Sequence, residues 1–329
     1  MPLAVVAHPA GTPSERRVNP GDPAALLIRK AFEDALSRLR AADPEARKGD
    51  VEGVHRLRTS TRRLRSELRT VRSLVDPEWR QGLESELKWL AAMLGSVRDL
   101  DILARRLREA EEAREASGND EPSELDDASS PLGPIFDELR ARHHRNSESL
   151  REALRSGRYR ALIARLESAI DRPELKKRAS RPCGEVLPPL AAAAWKRLKK
   201  AARTLKVSGP DEEFHEVRKL AKRARYTAEL IGPALGKAAQ KSSQRFARLA
   251  TRIQDILGEH QDASVAVEEL SGFLDGLTTG GEPAREARRL IRGQRRVADD
   301  ARKAFFKAWP KLDSPKSLRW LKPRAHGGA

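Results

Sequence analysis

Residues 54–74, "VHRLRTSTRRLRSELRTVRSL", place seven arginines and one histidine in a single helical stretch, with Glu67 as the only acid. Residues 214–231, "FHEVRKLAKRARYTAELI", set down nearly the same frame. His55, Arg58, Arg62, Arg63 and Arg65 match His215, Arg218, Lys222, Arg223 and Arg225 at a constant shift of 160. A second pair follows each stretch: "MLGSVRDLDIL" (93–103) and "ILGEHQDASVA" (256–266) align Gly95 with Gly258 and Asp99 with Asp262. Two ordered matches with nearly equal gaps read as an internal duplication, the feature that organises the rest of the chain.

Helical geometry gives each stretch two faces. At about 100° per residue, Val54, Leu57, Thr61, Leu64, Leu68, Val71 and Val75 form a mostly apolar stripe that should face a core. His55, Arg58, Arg62, Arg65, Arg69 and Arg72 form a second stripe beside it. The second stretch repeats this with Phe214, Val217, Ala221, Ala224, Ala228 and Ile231 next to His215, Arg218, Lys222 and Arg225. The cations therefore border the buried face. Like charges at i, i+3 and i+4 repel by some tenths of a kcal/mol per pair, about 0.2–0.5. Either a neighbouring helix supplies carboxylates or a bound polyanion does, and the duplicated histidine favours the polyanion. Histidine is a neutral-pH donor whose charged form phosphate would stabilise, and arginine adds bidentate geometry. A cation on every turn suits a linear anion better than one small phosphate.

Composition agrees with an all-α fold. The 329 residues carry a formal net charge of +17, with 34% charged and only 4% aromatic residues, a mixture that suits helices better than strands. The excess of base points to a polyanionic partner: nucleic acid, anionic membrane or polymeric phosphate. A single cysteine, Cys183, excludes an internal disulfide framework and a thiolate metal cluster. No run of apolar residues is long enough to span a membrane, and the start "MPLAVVAHPAGTPSERRVNP" reads as a flexible tail. The protein is expected to be soluble and cytoplasmic.

Breakers divide the chain into expected helices near 22–41, 51–75, 77–95, 98–116, 132–155 and 158–170, then 184–206, 211–232, 238–257, 260–277 and 282–308. The expected organisation is a tail over 1–19, a first helical half over 20–179, a linker "SRPCGEVLPP" over 180–189, a second half over 190–310 and a tail over 311–329. Residues 109–130 hold nine acids against Arg114 alone and read as a mobile acidic loop.

These motifs resemble the CHAD family, the histidine-bearing α-helical domain of bacteria and archaea. "HRLRTSTRRLR" and "HEVRKLAKRARYTAE", with "LGSVRDLD" and "LGEHQD" downstream, carry the resemblance, which covers about residues 20 to 310. It implies two four-helix bundles packed about a pseudo-twofold axis around a central basic groove. It also implies that the groove binds inorganic polyphosphate, that the protein associates with polyphosphate granules, and that it has no catalytic activity, cofactor or metal of its own. Carried over position by position, the implied ligands are His55, Arg58, Arg62 and Arg65, with His215, Arg218, Lys222 and Arg225. Arg63, Arg69, Lys219, Arg223 and His260 form a second tier. Thr59 stands where the second copy has Lys219, and Glu229 where the first has Arg69. Asp99 and Asp262 fit either a helix N-cap or a group that orients a groove arginine.

Other signals carry less. "ESELK" (84–88) fits the E-x-E-x-K pattern of CYTH enzymes, to which some CHAD members are fused, but helical rhythm turns Glu84 and Glu86 to opposite sides. His143 and His144 are adjacent and cannot share a helix face as a metal pair. Cys183 lacks a neighbouring base. Nucleic acid remains a secondary ligand, because the same cations neutralise a phosphodiester backbone, although the stripes lack aromatic platforms for single strands. A scaffold tethering proteins to polyphosphate is compatible with the first reading.

Overall fold

The computed structural model describes residues 17–115, 131–276 and 281–321. Most of the acidic segment and both extreme termini lie outside the described residues. The order is α1 (Ala24–Lys48), α2 (Val51–Thr70), α3 (Pro77–Glu115), α4 (Gly133–Arg155), α5 (Gly157–Asp171), α6 (Cys183–Thr204), α7 (Asp211–Ala234), α8 (Lys237–Asp275) and α9 (Glu282–Leu312). No β-strand occurs among the described residues, only two isolated bridges. Helices α1 to α5 pack on one another, and so do α6 to α9. In the first set α4 and α5 together make the fourth rod, broken at Ser156, whose backbone is extended and whose hydroxyl caps α5 by accepting from Tyr159 N at 3.2 Å.

The apolar stripes are buried as their spacing predicts. Val54, Leu57, Thr61, Leu64 and Leu68 on α2, with Val71 and Val75 just beyond it, are all buried, as are Phe214, Val217, Ala221, Ala224, Ala228 and Ile231 on α7. Local signals place the start of α2: α1 ends on Gly49 at φ 85°, where a side chain would be strained, and Asp50 then accepts from Gly53 N at 2.6 Å. Thr70 and Thr227 join their hydroxyls at 2.9 Å where α2 meets α7. Helices α3 and α8 also meet. Beyond that contact, Leu100, Leu103, Leu107, Ile135 and Phe136 from the first set share a separate core with Ala266, Leu270, Ala287, Leu290 and Ile291 from the second.

Several boundaries differ from the sequence reading. The breaks expected near Gly95 and Gly258 are absent; α3 and α8 run straight through them as helices of 39 residues each. A mid-helix glycine costs about 1 kcal/mol against alanine, which burial of both flanking turns outweighs. Helix α1 continues through Pro44 to Lys48, with Ala42 and Ala46 buried on either side. Helix α2 ends at Thr70, so Arg72 lies outside it, in a turn that leads to the Val75–Leu175 bridge. The segment read as a linker becomes α6 at Cys183, and Pro188 and Pro189 sit within that helix. Residues read as tails also pack: Val18 is buried, and Trp320 lies 5.5 Å from Phe246 between ring centres.

The entrances to α1 and α6 lie side by side. Pro23 and Pro182 form an antiparallel bridge, Ala24 N donates to Arg181 O at 3.0 Å, and Cys183 N donates to Asp22 O at 2.8 Å. Helices α7 and α8 approach closely at Gly232, where a Cβ would fall 1.8 Å from Ser243 Oγ and 2.4 Å from its Cβ. Ser243 is buried and cannot swing clear. Gly232→Ala is therefore expected to destabilise the fold by about 1–3 kcal/mol through overpacking, measured as a lower urea midpoint with an unchanged slope.

Candidate functional site

The half-buried residues of the two basic stretches coincide position by position: His55 with His215, Arg58 with Arg218, Arg62 with Lys222, Arg63 with Arg223, and Arg65 with Arg225. Thr59 and Lys219 are both exposed. The packing of α2 on α7 turns the two stripes toward each other. Burial, followed by the charges of Arg62, Arg218, Arg58 and Arg225, pushes the Lys222 ammonium down to about 6. Burial and then Arg58 likewise push Arg62 down to about 10, with Arg218 adding to the effect. Cations from both stretches thus act on one another at the centre of the molecule.

Acids relieve the periphery of this cluster but not its middle. Arg58 Nη2 donates to Asp99 Oδ1 at 2.7 Å. Asp262 lies in the field of Arg218 and Arg106, which oppose the upward push of burial on its pKa. Asp99 and Asp262 stand in mid-helix, so of their two readings the N-cap is excluded, and Asp99 orients an arginine. Gly258 lies under Arg218, where a Cβ would be 3.6 Å from Nε, and Gly95 lies beside Asp99. Arg225 pairs with Glu229 at 3.4 Å. Arg62, Arg65 and Lys222 have no ion pair within 4 Å among the described residues. The Nε atoms of Arg58, Arg65, Arg218 and Arg225, and Nδ1 of His55, are buried without a hydrogen-bond partner. Such orphaned groups are costly where they persist unpaired.

Both histidines are held toward the neutral form. Burial lowers the pKa of His55, helped by Arg98. Burial also lowers that of His215, against a hydrogen bond between its Nδ1 and Gln261 Oε1. Phosphate contact would reverse both shifts, as it would that of Lys222.

The second tier divides. Arg63 donates to Glu67 at 2.8 Å and pairs with Glu229 at 3.2 Å, while Glu67, buried, also faces Arg38 at 3.7 Å. Burial works against the Arg63 charge, but the hydrogen bond and charge of Glu67 and the charge of Glu229 together outweigh it. Arg63 is therefore neutralised within the fold. Its counterpart Arg223 has no ion pair within 4 Å among the described residues; burial lowers its pKa, and the neighbouring cations Arg69, Arg197 and Arg72 lower it further against the charge of Glu216. Arg63 is thus flanked by carboxylates and Arg223 chiefly by further arginine. Lys219 is paired with Glu216 at 2.6 Å. His260 is corrected: it is buried, with Nε2 at 3.1 Å from Arg302 Nε and 3.2 Å from Asp211, and it packs on Phe214. Two residues along α8 from Gly258 it projects about 200° away, whereas Gln261 and Asp262 share the glycine's face.

Sequence reasoning missed Gln261, although it lies in the quoted "LGEHQD". It also missed Tyr226, whose ring carries Arg225 at 4.5 Å and Arg63 at 5.7 Å. Glu84 pairs with Arg80 at 2.8 Å and Glu86 with Arg158 at 2.7 Å, so the "ESELK" acids serve separate partners. His143 and His144 face Asp101 and Glu148 respectively. Cys183 is buried, and its thiol is pushed up to about 11 by burial and then Asp22, which suits no nucleophile. No helix among the described residues is long and apolar enough to cross a membrane.

Lys222 links this site to pH. With a folded-state pKa near 6, below the ordinary lysine value of 10.5, the unfolded chain binds the extra proton between those limits. Stability should therefore rise with pH across that window, and the penalty should be fullest below its lower end. Lys222→Met is expected to raise the melting temperature at pH 7 by a few degrees. Binding of a polyanion should draw a proton onto Lys222, visible as an enthalpy that changes with buffer ionisation heat at pH 7.5, and Lys222→Arg should reduce that uptake.

Comparison with known proteins places this geometry in a family. The CHAD domain matches residues 30–271. Two curated relatives, the uncharacterized proteins MT2285 and Rv2226 of Mycobacterium tuberculosis (strains CDC 1551 / Oshkosh and ATCC 25618 / H37Rv), are each 29% identical over 318 residues. The match takes in 92% of this chain but 56% of theirs, so the chain spans about half the length of these relatives. Among solved structures, PptA from Streptomyces chartreusis has the same fold, with a TM-score of 0.70 and 22% identity over 88% of this chain and 100% of that one. The CHAD domain from the plant Ricinus communis superposes with a TM-score of 0.65 and 20% identity over 92% of this chain and 96% of its own. The central crossing of two histidine-headed basic helices therefore sits in a known fold, and the chain belongs to the CHAD domain family.

Proposed function

We propose that the chain binds inorganic polyphosphate in a groove where α2 and α7 face one another, and that it does so without catalysing a reaction. His55, Arg58, Arg62, Arg65, His215, Arg218, Lys222 and Arg225 line the groove. The reading rests chiefly on Arg62 and Lys222, half-buried cations brought together without a carboxylate between them. A fold that spends stability on such a confrontation gains it back when a polyanion enters. The guanidinium groups of Arg58, Arg65, Arg218 and Arg225 supply donors for phosphate oxygens. Charge-assisted bonds contribute about 1.5–3 kcal/mol each, so several together hold a flexible chain against its ordering cost.

On this reading the groove has a direction. Glu67 and Glu229 close the end at Arg63, while Arg69, Arg72, Arg197 and Arg223 lead a chain outward at the other. Association with polyphosphate granules in the cytoplasm follows from this reading, as does a tethering role for any partner the protein carries.

The test is competition. Labelled long-chain polyphosphate, bound at near-physiological salt, is challenged with duplex DNA, single-stranded RNA and triphosphate. Polyphosphate should survive an excess of each. Arg58→Ala/Arg218→Ala should weaken binding by at least about a hundredfold, from two lost charge-assisted contacts, with helicity unchanged. Normal binding by that variant, or displacement of polyphosphate by DNA at equal phosphate, overturns the assignment.

A further inference from the structure

A second unrelieved set of cations stands on α9. Between Glu282 and Ala298 the helix exposes Arg285, Arg288, Arg289, Arg292, Arg295 and Arg296. Helical spacing gathers them within about a third of the circumference, opposite the buried Ala287, Leu290, Ile291 and Gln294. The one acid inside the run, Glu286, is buried at the side of this face, beside Arg285, Arg288, Arg289 and Arg292. Among the described residues none of the six arginines has an ion pair or a side-chain hydrogen bond. Some exposed cations elsewhere are paired, Lys30 with Asp34 at 3.3 Å, Arg158 with Glu86 at 2.7 Å and Lys303, further along α9, with Asp300 at 3.2 Å. Helices α6 and α8 also expose cations without an ion pair among the described residues, such as Arg197 and Arg248. The α9 set is made wholly of arginine on a single narrow face. Asp299 and Asp300 arrive only where the arginine run has ended.

This surface is distinct from the α2–α7 crossing. The apolar side of α9 here is committed to the second core, with Leu100, Leu103 and Leu107 of α3 and Leu270 of α8. The arginines therefore point outward, and the same commitment leaves no apolar face to enter a bilayer. Their shape matters as much as their charge. A helix with its side chains is about 10–12 Å across. The major groove of B-DNA is about 12 Å wide and is flanked by phosphates on both sides. All six cations are arginine, the residue whose fork pairs bidentately with phosphate oxygens. We propose that the exposed arginine face of α9 is a second anion-binding surface, whose ligand is the phosphate backbone of duplex DNA, bound without a sequence requirement.

The ridge runs for about 17 Å along the helix, enough for several backbone contacts. The test uses the full chain with four changes, Arg288→Gln, Arg289→Gln, Arg292→Gln and Arg296→Gln, all at exposed positions and all keeping good helix formers. Fluorescence anisotropy is read with a labelled mixed-sequence duplex and, separately, with labelled polyphosphate. Duplex affinity should fall on the order of a hundredfold, and the slope of log K against log salt should become shallower by about 3–4, one contact for each arginine. Polyphosphate binding should stay at the wild-type level. Arg58→Ala/Arg218→Ala should show the reverse pattern, which separates failure of this surface from failure of the groove. An unchanged duplex affinity in the α9 variant, or no duplex binding by the wild type, overturns the proposal. So does loss of duplex binding through the groove variant, or an α9 variant that loses polyphosphate or anionic-vesicle binding instead.

Discussion

Burying the apolar stripes of α2 and α7 leaves the cations beside those stripes nowhere to go but toward one another. Leu57, Leu64 and Leu68 on one helix, and Val217, Ala221 and Ala224 on the other, fix the rotation of each rod. A rod so fixed cannot turn its basic stripe to bulk solvent without exposing its core face. Arg62 and Lys222 accordingly meet half-buried, and the hydrophobic effect, at about 25 cal/mol per Å² of apolar area, holds them together at the expense of the Lys222 charge. The acids at Asp99, Glu67 and Glu229 then fall where they neutralise the margins and leave the centre charged.

That arrangement separates cations that serve the fold from cations available to a ligand. Arg63 is held by Glu67 and Glu229 and shares the Tyr226 ring with Arg225. Its counterpart Arg223 is left among Arg69, Arg72 and Arg197. The difference traces to two positions: Arg69 in the first stretch stands against Glu229 in the second, and Glu67 against Thr227. Two nearly identical sequence motifs thus contribute unequal walls.

Much of this was legible from the chain. The 3.6-residue rhythm located the helical segments, though it divided α3 and α8 in two, and it placed both buried stripes and the cations beside them, because each depends only on local periodicity. The failures were tertiary. Gly95 and Gly258 read as breaks because glycine is a poor helix former; each instead lies in mid-helix near a charged group, Asp99 in one case and Arg218 in the other, a role invisible without the facing helix. Asp99 and Asp262 were drawn toward a capping reading by the same false break. Membership of the repeated "LGEHQD" segment suggests His260 as a ligand, although its angle from Gly258 points it inward, and Gln261 is the residue of that segment that reaches His215. Arg72 was assigned to the stripe by extending the rhythm past Thr70, where the Val75–Leu175 bridge ends the helix.

The clasp between Pro23 and Pro182, together with the core that α3 and α4 share with α8 and α9, bears on how the molecule is partitioned. The chain looks divisible near residue 180, yet neither side owns a complete interior. Leu103 and Phe136 have their apolar neighbours Leu270 and Leu290 across that division. Cutting the backbone there would sever a covalent link without creating two independent folding units, and each fragment alone would present a sticky, half-built surface. The two sides are therefore expected to act as complementary fragments of one protein, folding in each other's presence.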